Sequence, residues 1–119
     1  MKISEVAISH VRIPLKRIIK HASHARTDTD NILVRCTLED GTTGFGEGLP
    51  RDYVTGETID SSMEILRNSQ ILSQLEHCSD FYQAVQMAER LQLPTAPNDD
   101  RKCGANAARC ALELSLIHI

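Results

Sequence analysis

Asn31–Gly48, NILVRCTLEDGTTGFGEG, is the stretch around which the rest of the chain is arranged. Ile32, Val34, Cys36 and Leu38 alternate with Leu33, Arg35 and Thr37, the period of two expected of a strand with two unlike faces. Asp40-Gly41 then supplies a two-residue turn, because both central positions of a type I′ turn need positive φ, which Gly accepts and Asp tolerates. Such a turn sets Glu39 opposite Thr42, Cys36 opposite Phe45 and Val34 opposite Glu47. The other face of the returning strand is Gly44, Gly46 and Gly48, with no side chains. Glycine weakens a strand, so three at period two imply either that another element approaches that face closely or that a glycine-rich edge is left to water.

A chain of 119 residues fits one domain. With 3% aromatics and no Trp, its core has to be aliphatic, and large aromatic interface anchors are scarce. A net charge of −3 and a densest basic run of only RIPLKRIIK (Arg12–Lys20) argue against nucleic-acid binding. The opening MKISEVAISH has no apolar signal core and no later stretch is long enough to span a bilayer, which excludes a membrane role and implies a cytoplasmic location. Cys36, Cys78, Cys103 and Cys110 show no CxxC spacing and are expected to be reduced, small hydrophobes.

Residues 2–15 predict a first strand, with Pro14 suited to an edge. Val6 and Ile8 lie on one parity and Val11, Ile13 and Leu15 on the other, so a bulge or strong twist is expected near Ser9-His10, with His10 partly buried. Residues 17–30, RIIKHASHARTDTD, lose periodicity and read as a long mobile loop. His21 and His24 sit three apart beside Ser23 and Arg26, but a third metal ligand is not apparent and a loop does not fix the geometry. A polar lid touching a ligand is the functional reading; a solvated loop is the plain one. Strands over about 31–39 and 42–49 are followed by a second loop, Leu49–Glu57. There Arg51 and Tyr53 suit an anionic or planar ligand, or else Tyr53 plugs the hairpin.

Helices are expected over about 58–73, 80–92 and 106–119. Thr58 caps the first, whose stripe is Ile59, Met63 and Leu66, and Asp80 with Gln83 resembles a capping box for the second, with stripe Phe81, Val85, Ala88 and Leu91. Residues 94–102, PTAPNDDRK, form a polar loop. The last helix has a small, apolar face of Ala108, Ala111, Leu112, Ser115, Leu116 and Ile119, and carries no stop signal, as if cut within the helix. The fold class is therefore α+β, a three-stranded antiparallel meander followed by a bundle of about three helices.

Taken in order, Asp40-Gly41, Gly44-Phe45-Gly46-Glu47, the Pro50–Glu57 loop and Asn106-Ala107-Ala108-Arg109-Cys110-Ala111-Leu112-Glu113-Leu114 resemble the N-terminal capping domain of the enolase superfamily, in its mandelate racemase and muconate lactonizing enzyme branch. The resemblance spans nearly the whole chain, with residues 1–105 as the capping domain and 106–119 as its last helix, truncated before the barrel. Ser115–Ile119 depart from the continuation usual in that family.

The resemblance implies a cap seated on a (β/α)7β barrel. The barrel would hold Mg2+ on three carboxylates and supply the Lys or His that removes the proton α to a substrate carboxylate. The cap would give selectivity and dryness through two loops, here His21–Thr27 and Arg51–Glu57. The residues expected to touch or gate a small carboxylate substrate are His21, Ser23, His24, Arg26, Arg51 and Tyr53. No catalytic or metal-ligating residue and no cofactor is expected in this chain, so alone it would be silent. The parent enzyme, muconate cycloisomerase-like and homo-oligomeric, would partner it with its own C-terminal barrel. The contrasting reading is a free-standing α+β binding module without catalysis.

Overall fold

The computed structural model describes residues 2–21, 24–75, 80–95 and 104–119. Its sheet has the order β1-β2-β3, all antiparallel, with β1 at Ile3–His21, β2 at His24–Leu38 and β3 at Thr43–Gly48. The helices are α1 (Asp52–Thr55), α2 (Ile59–Asn68), α3 (Ile71–Gln74), α4 (Phe81–Arg90) and α5 (Asn106–Ile117). The α+β class and the meander-then-helices order are those the sequence predicts, with two additional four-residue helices, α1 and α3.

The β2–β3 register is shifted by one residue from the expected one. Leu38 N–H donates to Thr42 O at 2.8 Å and Gly41 N–H to Leu38 O at 3.0 Å, closing a three-residue loop with Gly41 at φ 89° while Asp40 keeps negative φ. The extra residue pairs Cys36 with Gly44, Val34 with Gly46 and Ile32 with Gly48, and places Phe45 beside Arg35. A one-residue slip exchanges the faces of a strand. Phe45 is therefore on the outer face, 49% exposed, whereas Ile32, Val34 and Cys36 are buried on the glycine side.

That side is covered by α5. A Cβ built on Gly44 would stand 2.2 Å from Ser115 O, one on Gly46 1.9 Å from Ala111 O, and one on Gly48 2.3 Å from Ala107 O. Four residues of helix rise about 6 Å, close to the roughly 6.6 Å of two strand residues. One ridge of α5 thus runs antiparallel along three successive glycines. The close approach inferred from the glycines is a helix backbone. Ala108, Ala111, Leu112, Ser115 and Leu116 are buried, matching the predicted face.

Residues 17–30 are not a loop. β1 and β2 continue as a two-stranded ribbon out to the pair His21–His24. Ile18 and Ile19 are more than half exposed on it, so no buried face imposed a hydrophobic period. Register shifts fall between Ile3 and Glu5 and between Pro14 and Ile19, not at Ser9-His10. Val6 and Ile8 pack against the core while Val11 is half-buried on the other face, so the change of parity needs no bulge.

Thr58 caps α2 as expected: Thr58 Oγ1 accepts from Ser61 N–H at 3.1 Å, and Ser61 Oγ accepts from Thr58 N–H at 2.9 Å. The helix ends earlier than predicted, at Asn68, because Gln70 takes a left-handed φ of 49° that starts α3 in a new direction. Asp80 Oδ1 accepts from Gln83 N–H at 2.9 Å at the start of α4. The buried side of α4 is Ala84 and Ala88, continued by Leu91, while Phe81, expected on that stripe, is 61% exposed. Cys36 and Cys110 are free thiols; Cys78, Cys103 and most of the 94–102 loop lie outside the described residues. No helix among the described residues is long and apolar enough to cross a membrane.

The glycine contact predicts an asymmetry. Gly46→Ala drives a methyl into helix backbone and should cost at least about 3 kcal/mol. Gly41→Ala meets open space and pays only for its positive φ, about 1 kcal/mol. Urea unfolding of the two variants measures the difference, and equal losses would contradict the packing described.

Candidate functional site

The two segments expected to form the lid meet at Arg26 and Tyr53. Arg26, on the β2 side of the ribbon, donates from Nε and Nη2 to Tyr53 Oη at 3.1 and 2.9 Å, and its guanidinium carbon lies 5.4 Å from the ring centroid. Tyr53 stands on α1, in the 51–57 segment, and is 36% exposed. The pair is an amphipathic, cationic corner built from residues 27 apart in sequence.

Arg51 lies beneath it, half-buried. Its Nη1 donates to Pro50 O at 2.8 Å and to Asp30 O at 3.3 Å, and its Nη2 donates to Thr29 Oγ1. Burial, with Arg26 as a neighbouring like charge, lowers its pKa from the ordinary arginine value. Arg51 thus ties the second segment to the base of the ribbon. Ser23 lies outside the described residues, as do the side chains of His21 and His24. Of the six residues expected at the lid, the structure brings together Arg26, Arg51 and Tyr53.

At the ribbon's root, Asp30 Oδ1 accepts from Arg12 Nε at 2.9 Å and stands 2.7 Å from His10 Nε2; Arg12 Nη2 donates to Asp30 Oδ2 at 3.2 Å. His10 is exposed, not partly buried as expected: it stands on the edge strand β1, where its ring reaches Asp30 instead of the core. The hydrogen bond from Arg12, with that from His10, lowers the Asp30 pKa to about 2.

Sequence reasoning missed the role of Glu57. It is 0% exposed, and its carboxylate accepts from Ala107 N–H at 2.6 Å, Ala108 N–H at 3.0 Å and Ser62 Oγ at 2.8 Å. A signal was present: α5 opens after Ala105 with no capping side chain of its own, so its first amides needed an acceptor from elsewhere. Among the described residues, no group of three or more His, Cys, Asp or Glu side chains is placed to hold a metal ion.

Glycine groove, meander and helix order define a class, the N-terminal capping domain of the enolase superfamily. Within it, the chain belongs to the mandelate racemase/muconate lactonizing enzyme branch. It is similar to the L-Lys-D/L-Arg epimerase of Methylococcus capsulatus, 30% identical over 126 residues that cover 98% of this chain and 30% of that protein. Among solved structures, a mandelate racemase/muconate lactonizing protein from Herpetosiphon aurantiacus matches with a TM-score of 0.74 at 30% identity, over 97% of this chain and 29% of that one. The dipeptide epimerase from Methylococcus capsulatus, complexed with Mg and the dipeptide L-Arg-D-Lys, matches with a TM-score of 0.77 at 26% identity, over 98% and 30%. No protein-family model matches the chain. The chain spans under a third of the length of these relatives.

The Asp30 cluster predicts a pH effect. A carboxyl whose pKa is lower folded than unfolded stabilises the fold above its unfolded pKa and loses that contribution as pH falls through the folded one, here from about 4 toward about 2. For an ion pair this open to water the effect is at most about 1 kcal/mol. Asp30→Asn should flatten that part of the stability profile, and acid titration of both proteins by circular dichroism measures it.

Proposed function

We propose that this chain is the substrate-capping and specificity portion of an enolase-superfamily isomerase that moves the proton α to a carboxylate. The epimerase names of its relatives support a racemase or epimerase of amino-acid derivatives or dipeptides over the cycloisomerase reading. The observation that carries the proposal is the meeting of Arg26 and Tyr53 from two separate segments, with Arg51 holding the second segment against the ribbon.

In this role the chain's own residues bind and exclude water; they do not move the proton. Arg26 offers a planar cation suited to a carboxylate, and the Tyr53 ring offers an apolar wall with a polar tip. Closing such a corner over a substrate strengthens every charge interaction beneath it by removing water. The proton-moving groups, and the magnesium seen with the dipeptide epimerase, belong in this reading to a barrel joined to the cap. The same reading makes a small carboxylate the ligand and the barrel the principal partner.

The test is a chimera in which this chain replaces the corresponding N-terminal segment of the Methylococcus capsulatus epimerase. The chimera should epimerise dipeptides, and the 119-residue chain alone should not. Arg26→Ala in the chimera should raise KM by about tenfold with kcat changed much less. Turnover by the chain alone, or substrate selectivity indifferent to both Arg26→Ala and Tyr53→Phe, would refute the proposal.

A further inference from the structure

The lid pair needs something to hold it, and the 51–57 segment is fastened at both ends. At its start, Arg51 donates to Thr29, to Asp30 and to the carbonyl of Pro50. At its end, Glu57 is clamped between the first turn of α5 and Ser62 of α2. Between these anchors α1 makes a single turn closed by Gly56 N–H to Asp52 O at 3.1 Å, which leaves Tyr53 little slack.

We propose that Glu57 is a positioning residue for the Arg26–Tyr53 pair, acting through its clamp on the N-terminus of α5. Ala107 and Ala108 are the second and third residues of that helix, whose amides have no carbonyl partner within it. A carboxylate there meets the positive end of the helix dipole and accepts two charge-assisted hydrogen bonds in a site closed to water. Ser62 satisfies a further lone pair. The same carboxylate is the last residue of the segment that bears Tyr53. The position of α5 on the glycine groove and the position of the tyrosine are therefore set by one group. Glutamine keeps the shape of Glu57 but turns an NH2 toward one of the two amides, where it cannot accept. The positioning role concerns this chain's own geometry; only its value for selectivity rests on the capping proposal.

The experiment uses the 119-residue chain with Tyr82→Phe. With two tyrosines and no tryptophan in the native sequence, Tyr53 becomes the sole fluorophore of its kind. In Glu57→Gln, amide exchange at Ala107 and Ala108 should quicken on the order of tenfold. Acrylamide should quench Tyr53 more strongly, while helical content is retained. Asp80→Ala, which removes the N-terminal cap of α4 at the end away from its contact with Arg109 of α5, should lower Tm without moving Tyr53. Ser62→Ala keeps the carboxylate and should shift Tyr53 in the same direction by less; it carries the test if Glu57→Gln does not fold. Faster exchange with unchanged Tyr53 quenching would make Glu57 a plain helix cap and overturn the proposal. An equal Tyr53 change in Asp80→Ala would overturn it too. These readouts need no substrate and no barrel, so their failure leaves the capping proposal standing, and the failure of that proposal leaves them intact.

Discussion

The structure depends on a helix backbone lying directly on a strand backbone. Side chains normally hold a helix and a sheet apart; here α5 reaches β3 because Gly44, Gly46 and Gly48 leave the carbonyls of Ser115, Ala111 and Ala107 unobstructed. Three strand glycines cost roughly 1.5–3 kcal/mol together. Full burial of one leucine, such as Leu112, offsets about that much. Ile32, Val34, Leu112 and Leu116 are all fully buried at this contact, so burial outweighs the local penalty. The hairpin loop is part of the same device, because its third residue aligns the buried side chains of β2 with the glycine face instead of the opposite one.

The lid geometry hangs from that contact. With α5 seated on the groove, its N-terminus presents two amides at the point where the 51–57 segment ends, and Glu57 converts the position of the helix into the position of the segment. Arg51 does the same from the ribbon side through Thr29 and the carbonyl of Asp30. Tyr53 and Arg26 meet between these two anchors. Three stretches far apart in the chain, residues 26–30, 51–57 and 107–108, thus define one corner.

Elements with a buried face were legible from the sequence. The β2 alternation and the α5 face are one-sided patterns that burial enforces, and the Thr58 cap is a local hydrogen-bond motif carried by residue type and spacing. The ribbon was not legible, because Ile18 and Ile19 face water and the β-branched Thr27 and Thr29 remained the main hint of extended chain. Phe81 was misplaced since aromatic residues are read as core by default, yet small residues, Ala84 and Ala88, make the close contact of α4. Glu57 looked like one more polar loop residue. Its role lies in a pairing fifty residues away, which no local pattern encodes. At the site, the lid residues were picked out by their polar types in two loop-like stretches, and the family resemblance joined the two stretches; that Arg51 would be engaged with the main chain while Arg26 faced Tyr53 is tertiary information.

The groove also fixes an order of events during synthesis. Gly48 leaves the ribosome long before Ala107, its contact in α5; at ~5–20 residues per second the delay is roughly 3–12 s. Throughout it the young meander carries a bare, side-chain-free furrow beside Ile32, Val34 and Cys36, along an unprotected outer strand. A nascent chain of this design is most vulnerable to strand capture by its neighbours in the interval before its own last helix arrives.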